Sequence, residues 1–206
     1  MTDSPTNENP EILSVNVDEN LGVVSVGPGG EEPAHPEEAM NNALDRYVEW
    51  KRKPARLVTD DDVMRLLEEA RIMARLCHFP SGKYAGANAI SHNQIDDTDP
   101  LRFFVSNSGE IIVNPEMISH TKVPVDSFEG CTSFISNEPK TVKRYNVATV
   151  RFQQVNNDAK LSDPRTETFS GVEAKVMQHE LAHLNGHSIY DADVKPQDAE
   201  GLTLPK

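Results

Sequence analysis

The sequence predicts an α+β fold: antiparallel or mixed sheets packed around a C-terminal helix, with a second helix ahead of them. Three observations point to it. Apolar residues recur at helical spacing over 59–78 and again over 171–184. Between these stretches lie several short alternating runs. The strands do not alternate regularly with helices, as a doubly wound sheet would require. No internal repeat is present.

Within residues 37–53, Met40, Leu44, Tyr47 and Val48 fall at helical spacing. The first strong helix begins at Thr59, a good N-cap with Asp62 three residues on in a variant of the capping box. Asp60, Asp61 and Asp62 suit the positive end of the helix dipole. Val63, Leu66, Leu67, Ala70, Met73, Ala74 and Cys77 form its apolar stripe, which makes Cys77 a core thiol. Residues 79–99 are small and polar and read as loop. Strands follow at 102–106 and 110–114 around an Asn107-Ser108-Gly109 turn, then at 122–126, 141–143 and 147–154. A turn spans 156–163. The last helix starts near Ser170 or Gly171 and stops at Asn185-Gly186.

The chain has 206 residues, with 20 Lys and Arg against 33 Asp and Glu, a net charge of −13. Residues 1–39 carry Asp3, Glu8, Glu11, Asp18, Glu19, Glu31, Glu32, Glu37 and Glu38 but no Lys or Arg and no Phe, Tyr or Trp. Such a stretch buries too little apolar surface to offset its ordering entropy. We therefore expect an acidic, disordered or loosely attached tail at 1–39, with short strands conceivable at 12–17 or 22–26. A globular unit is expected at 40–193 and a short tail at 194–206. The charge balance disfavours direct nucleic-acid binding or attraction to an anionic membrane. No apolar run is long enough to span a bilayer, and the N-terminus lacks the pattern of a secretory signal. Two cysteines, Cys77 and Cys131, are too few for a disulfide framework and fit a cytoplasmic protein.

The C-terminal helix contains His179-Glu180-Leu181-Ala182-His183. Residues at i and i+4 share a helix face, so both imidazoles can reach one cation. Glu180 stands beside that cation, where it can take a proton from an activated water. A catalytic site needs a third ligand. Downstream the choice is His187, Asp191, Asp193, Asp198 or Glu200; upstream, Glu129-Gly130-Cys131-Thr132-Ser133 offers a thiolate beside a glycine that admits close approach.

Together the two motifs resemble the peptide deformylase family, which carries E-G-C-x-S ahead of H-E-x-x-H in this order and at about this separation. Ile111-Ile112-Val113-Asn114-Pro115 is similar to the family's apolar-Asn-Pro strand end, and Val142-Lys143-Arg144 to its Val-x-Arg. Gln178 precedes the first His and Leu184-Asn185-Gly186 follows the second, as in the family. The resemblance covers about residues 54–193. It departs in three places. The family's G-x-G-L-A-A-x-Q becomes Ala87-Asn88-Ala89-Ile90-Ser91-His92-Asn93-Gln94, Ala182 replaces an Asp, and Lys175 replaces an Arg. Glu129 and Arg144 are available to each other as a substitute pair, and His92 is expected to support the site or face solvent.

The resemblance implies removal of the formyl group from the N-terminal formyl-methionine of nascent polypeptides. Cys131, His179 and His183 would hold one divalent ion, Fe2+ by family expectation, with Zn2+ or Ni2+ able to replace it. Glu180 would be the general base, and Gln94 with the backbone N–H of Thr132 would stabilise the oxyanion. Ile90, Val176, Gly130 and His179 would border the methionine pocket. The implied partners are N-formylmethionyl peptides near the ribosome, although no basic C-terminal helix is present for docking there. Two other readings stand beside this one: a zincin-type metallopeptidase with a downstream ligand, and a non-catalytic homologue that binds metal or peptide.

Overall fold

The computed structural model describes residues 53–78, 84, 86–133 and 139–191, together with the backbone at 15–18 and 23–26. The helix expected within 37–53 and the C-terminal tail at 194–206 lie almost wholly outside the described residues, as does most of the acidic segment. Two short strands, β1 (Val15–Asp18) and β2 (Val23–Val26), pair antiparallel within that segment.

A helical turn at Asp60–Asp62 leads into α1 (Val63–His78). The cap forms as the sequence suggests: Asp62 Oδ2 accepts from the Thr59 backbone N–H and hydroxyl, both at 2.9 Å. Then follow β3 (Ala89–Ser91), a 3-10 turn at His92–Gln94, β4 (Phe103–Ser106), β5 (Ile111–His120), β6 (Pro124–Glu129), β7 (Lys140–Tyr145), β8 (Val147–Gln153), β9 (Arg165–Ser170) and α2 (Gly171–Leu184). A five-stranded sheet runs in the order β3-β4-β5-β8-β9, and β6 with β7 forms a separate ribbon. Among the described residues every pair of these strands is antiparallel, and a single parallel bridge, Arg56 with Leu101, lies outside them.

The two helices cover opposite faces of the sheet, and the period-2 alternation of each strand decides which side chain meets which helix. Ile90, Phe103, Val105, Ile111 and Val113 join Leu66, Ala70, Met73 and Cys77 of α1. Ala89, Phe104, Ile112, Val150 and Phe152 join Ala174, Met177, Leu181 and Leu184 of α2. Among the described residues, no helix is long and apolar enough to cross a membrane.

Three elements differ from the sequence reading. The loop expected at 79–99 contains β3 and the turn at 92–94, both too short to show a period. The strand expected to end at Asn114 continues to His120, because a register shift between Val113 and Glu116 absorbs Pro115, which has no N–H for the ladder. Asn114 itself takes φ +51° and ties Val58 to the sheet, accepting its N–H at 2.8 Å and donating to its carbonyl at 2.9 Å. Finally, β9 lies where no strand was expected. Its residues are largely exposed on both faces, so they show no apolar alternation. Its last residue, Ser170, is the N-cap of α2, and Gly171 turns the chain with φ +58°.

Candidate metal and catalytic site

The site forms where α2 passes the end of β6 and the turn after β3. Gln178 sets the register of α2 against β7: its Oε1 accepts the Tyr145 N–H at 2.7 Å and its Nε2 donates to the Tyr145 carbonyl at 2.8 Å. This locks the helix one residue before His179. Asn93, in the turn after β3, donates to the His183 carbonyl from the other side.

The structure brings Cys131, His179 and His183 together, their ligand atoms all within 4.8 Å of one another. Cys131 Sγ lies 3.3 Å from His183 Nε2, and the two Nε2 atoms are 3.1 Å apart. Three vertices of a tetrahedron around an ion, with metal–sulfur about 2.3 Å and metal–nitrogen about 2.0–2.1 Å, would lie about 3.3–3.6 Å from one another. The cluster therefore fits one such ion closely. The outer nitrogens are also spoken for: His179 Nδ1 meets Glu129 Oε2 at 2.9 Å, and His183 Nδ1 meets the His187 carbonyl at 3.1 Å. Both Nε2 atoms are thereby turned towards the shared point. Burial by itself would raise the Cys131 thiol, but the imidazoles of His183 and His179 outweigh it and hold its pKa at about 4. The sulfur is thus poised as a thiolate ligand.

Cys77 contrasts with it. It sits on the core face of α1, and burial, with a smaller contribution from the Glu180 carboxylate, pushes its pKa up to about 12. Of the downstream candidates, His187 supplies a backbone carbonyl and Asp191 accepts the Ser188 N–H; neither joins the ligand cluster. Asp193, Asp198 and Glu200 lie outside the described residues.

Glu129 and Arg144 do pair. Arg144 is fully buried and makes a two-pronged contact with Glu129, Nε to Oε1 at 3.1 Å and Nη2 to Oε2 at 2.9 Å. Burial would raise the Glu129 carboxyl, but His179 and Arg144 together hold it at about 2. One carboxylate thus balances a buried guanidinium and orients an imidazole of the candidate cluster. Glu129→Ala is expected to leave Arg144 as an uncompensated buried charge, costing about 3–5 kcal/mol in denaturant unfolding. Freed of its partner, His179 should weaken metal binding about 10–100-fold. Unchanged values on both counts would remove Glu129 from this role.

A cavity of about 430 Å³ opens beside the cluster. Gln94, Gly130, Thr132, Val176, His179 and Glu180 all line it. Ile90 does not, which corrects its placement in the pocket. It is fully buried beneath α1, because alternation along β3 turns its neighbour Ala89 to the cavity side instead. Two exposed apolar side chains, Phe128 from β6 and Val172 from α2, stand among the lining residues.

His92 neither faces solvent nor joins the ligands. It is fully buried, accepts the Leu101 N–H on Nδ1 at 2.8 Å, and meets Glu69 Oε2 through Nε2 at 2.5 Å. Glu69, His92 and Asp96 form a second cluster of potential ligand atoms, but the guanidinium of Arg65 already serves as its cation, at 2.6 Å from Asp96 and 3.2 Å from Glu69.

Sequence reasoning missed three contacts that shape the site. The Ser91 hydroxyl reaches Glu180, Ser133 accepts from Gln94 Nε2 at 2.8 Å, and Glu129 reaches His179. Glu129 and Ser133 stand within the quoted Glu-Gly-Cys-Thr-Ser motif, so their place was visible though their bonds were not. Ser91 registered only as a departure from an Ala.

These features define a class: an α+β protein in which a cysteine and the two histidines of a His-Glu-x-x-His helix form a cluster that could hold a metal ion. Comparison with known proteins narrows it. The polypeptide deformylase profile matches residues 81–199. A peptide deformylase of Thermotoga neapolitana is 33% identical over 162 residues, covering 75% of this chain and 86% of that one. The chain thus belongs to the polypeptide deformylase family. A Staphylococcus epidermidis peptide deformylase is 36% identical over 84 residues, and the match spans only 43% of its length. The crystal structure of the Thermotoga maritima peptide deformylase superimposes with a TM-score of 0.55 at 28% identity, covering 67% of this chain and 86% of that one.

Proposed function

We propose that this chain removes the formyl group from the N-terminal formyl-methionine of nascent peptides, using one divalent ion held by Cys131, His179 and His183. The observation that carries this reading is the convergence of one thiolate and two imidazoles, with the Glu180 carboxylate and a cavity beside them. Ferrous iron is the ion we assign, and zinc or nickel suits the same donors. Bound there, the ion would supply a Lewis acid that polarises the formyl oxygen and acidifies a water.

The chain's own groups do the rest. Glu180, buried at the cavity wall, takes the water's proton and delivers it to the departing amine. Gln94 binds Ser133 through Nε2, which has a second hydrogen to offer, and together with the Thr132 N–H it faces the developing oxyanion. Val176, Gly130 and His179 border the space for the methionine side chain. The cavity lies between β3, at the edge of its sheet, and β6, one of a two-stranded ribbon. An extended peptide can therefore take backbone hydrogen bonds from both sides.

The test is release of formate from a short formyl-Met peptide by protein loaded anaerobically with iron, beside the unformylated peptide as a substrate for internal cleavage. Formate release supports deformylation. Internal cleavage supports a metallopeptidase, and binding without turnover supports a non-catalytic homologue.

Such substrates would have the protein act in the cytoplasm, in transient proximity to the ribosome. We also assign the chemistry to residues 40–193. A chain beginning at Met40 should fold and turn over formyl-Met peptide at a rate comparable to the full chain. A folded but inactive product would show that the acidic segment completes the cleft.

A further inference from the structure

We propose that Ser91 is a positioning residue for the general base: its hydroxyl holds Oε2 of Glu180, so that Oε1 is the oxygen left to take the proton. The inference rests on the deformylase reading above and adds an atom-level assignment to it.

Ser91 ends β3 and caps the turn at His92–Gln94. It is fully buried, and its Oγ lies 2.6 Å from Glu180 Oε2 and 3.2 Å from the Glu180 carbonyl oxygen. A hydroxyl has one proton to give, and the shorter contact, to a charged acceptor, takes it. Glu180 is itself only 4% exposed, so few water contacts compete for that oxygen. Among the described residues no other side chain is seen to donate to this carboxylate. An oxygen that already accepts a short hydrogen bond is a poorer proton acceptor than its twin, and the bond removes rotational freedom from a three-torsion side chain.

The same residue orients the opposite wall. The Ser91 backbone N–H donates to Gln94 Oε1 at 2.7 Å, which turns the amide so that Nε2 faces Ser133. One residue therefore sets the base through its side chain and the oxyanion donor through its main chain. The two can be separated, because substitution of the side chain leaves the N–H in place. The position also gives the observation its weight for this chain: the family motif has Ala here, which offers no donor, and Ser91 supplies one.

The experiment compares wild type, Ser91→Ala and Ser91→Thr, each loaded with metal. Ser91→Ala deletes one oxygen and should fold. Thr keeps the hydroxyl, and the extended backbone at this position (φ −83°, ψ 145°) suits a β-branched residue. With formyl-Met peptide we expect Ser91→Ala to lower kcat about 10- to 100-fold, with KM and metal content unchanged, and Ser91→Thr to recover most of it. A crystal structure of Ser91→Ala should show the Glu180 carboxylate spread over more than one rotamer. A kcat for Ser91→Ala within twofold of wild type overturns the proposal, and so does a fall in kcat that merely tracks lost metal or lost folded protein. If wild type itself releases no formate, the deformylase reading fails separately. The rotamer of Glu180 in Ser91→Ala then decides the positioning role, and a single unchanged rotamer overturns it.

Discussion

Glu180→Gln should bind metal as wild type does and turn over formyl-Met peptide about 10²–10⁴-fold more slowly. The substitution is nearly isosteric. Gln can still accept the Ser91 hydroxyl bond that Glu180 Oε2 takes at 2.6 Å, so the side chain stays in place. What it loses is the ability to take up a proton. The two imidazoles flanking it on α2 keep their partners, Glu129 for His179 and the His187 carbonyl for His183. The defect should therefore fall on kcat and leave KM nearly unchanged, as for a group acting only in the transition state. Metal content by atomic spectroscopy and formate release are the two measurements. A near wild-type rate would remove Glu180 from the mechanism.

The second large effect separates the two cysteines. Cys131→Ala should lose most of the bound metal and with it all measurable turnover, whereas Cys77→Ala should keep both. Cys131 is 1% exposed and sits 3.3 Å from the Nε2 of His183, with its pKa drawn down to about 4. Without it the donor set falls to two imidazoles. Cys77 is also buried, but on the core face of α1, where its pKa rises to about 12 and the thiol stays neutral. Its loss removes packing, costing about 1 kcal/mol in stability and leaving the candidate ligands alone. Equal metal content in the two variants would refute the ligand assignment.

Much of this arrangement was legible in the chain itself, for local reasons. The capping signal at Thr59–Asp62, the apolar stripe of α1 and the Gly171 and Asn185-Gly186 boundaries of α2 are written in neighbouring residues, and the structure places both helices there. The i, i+4 spacing of His179 and His183 fixes their shared face without reference to anything else in the fold. The Glu-Gly-Cys-Thr-Ser segment marked its cysteine by composition and by resemblance.

What the chain did not disclose depends on which distant surfaces meet. Ile90 and Ala89 are both apolar residues, and only the stacking of α1 against one face of the sheet and α2 against the other determines that Ala89 turns towards the cavity. Strand β9 is largely exposed on both faces, so no alternation announces it, and its place beside β8 rests on backbone pairing with a few cross-strand contacts, such as Thr149–Thr168 and Phe152–Phe169. His92 looked like a titratable group at the cleft, yet Glu69, 23 residues earlier on α1, claims its ring. Ser91 reads as the loss of an Ala until Glu180, 89 residues away, is brought within 2.6 Å. Residue types and helical spacing thus determined which groups could carry the chemistry. Packing across the sheet decided which of them face the cavity and which partners hold them, because a hydrogen bond over such a separation has no local signature in the sequence.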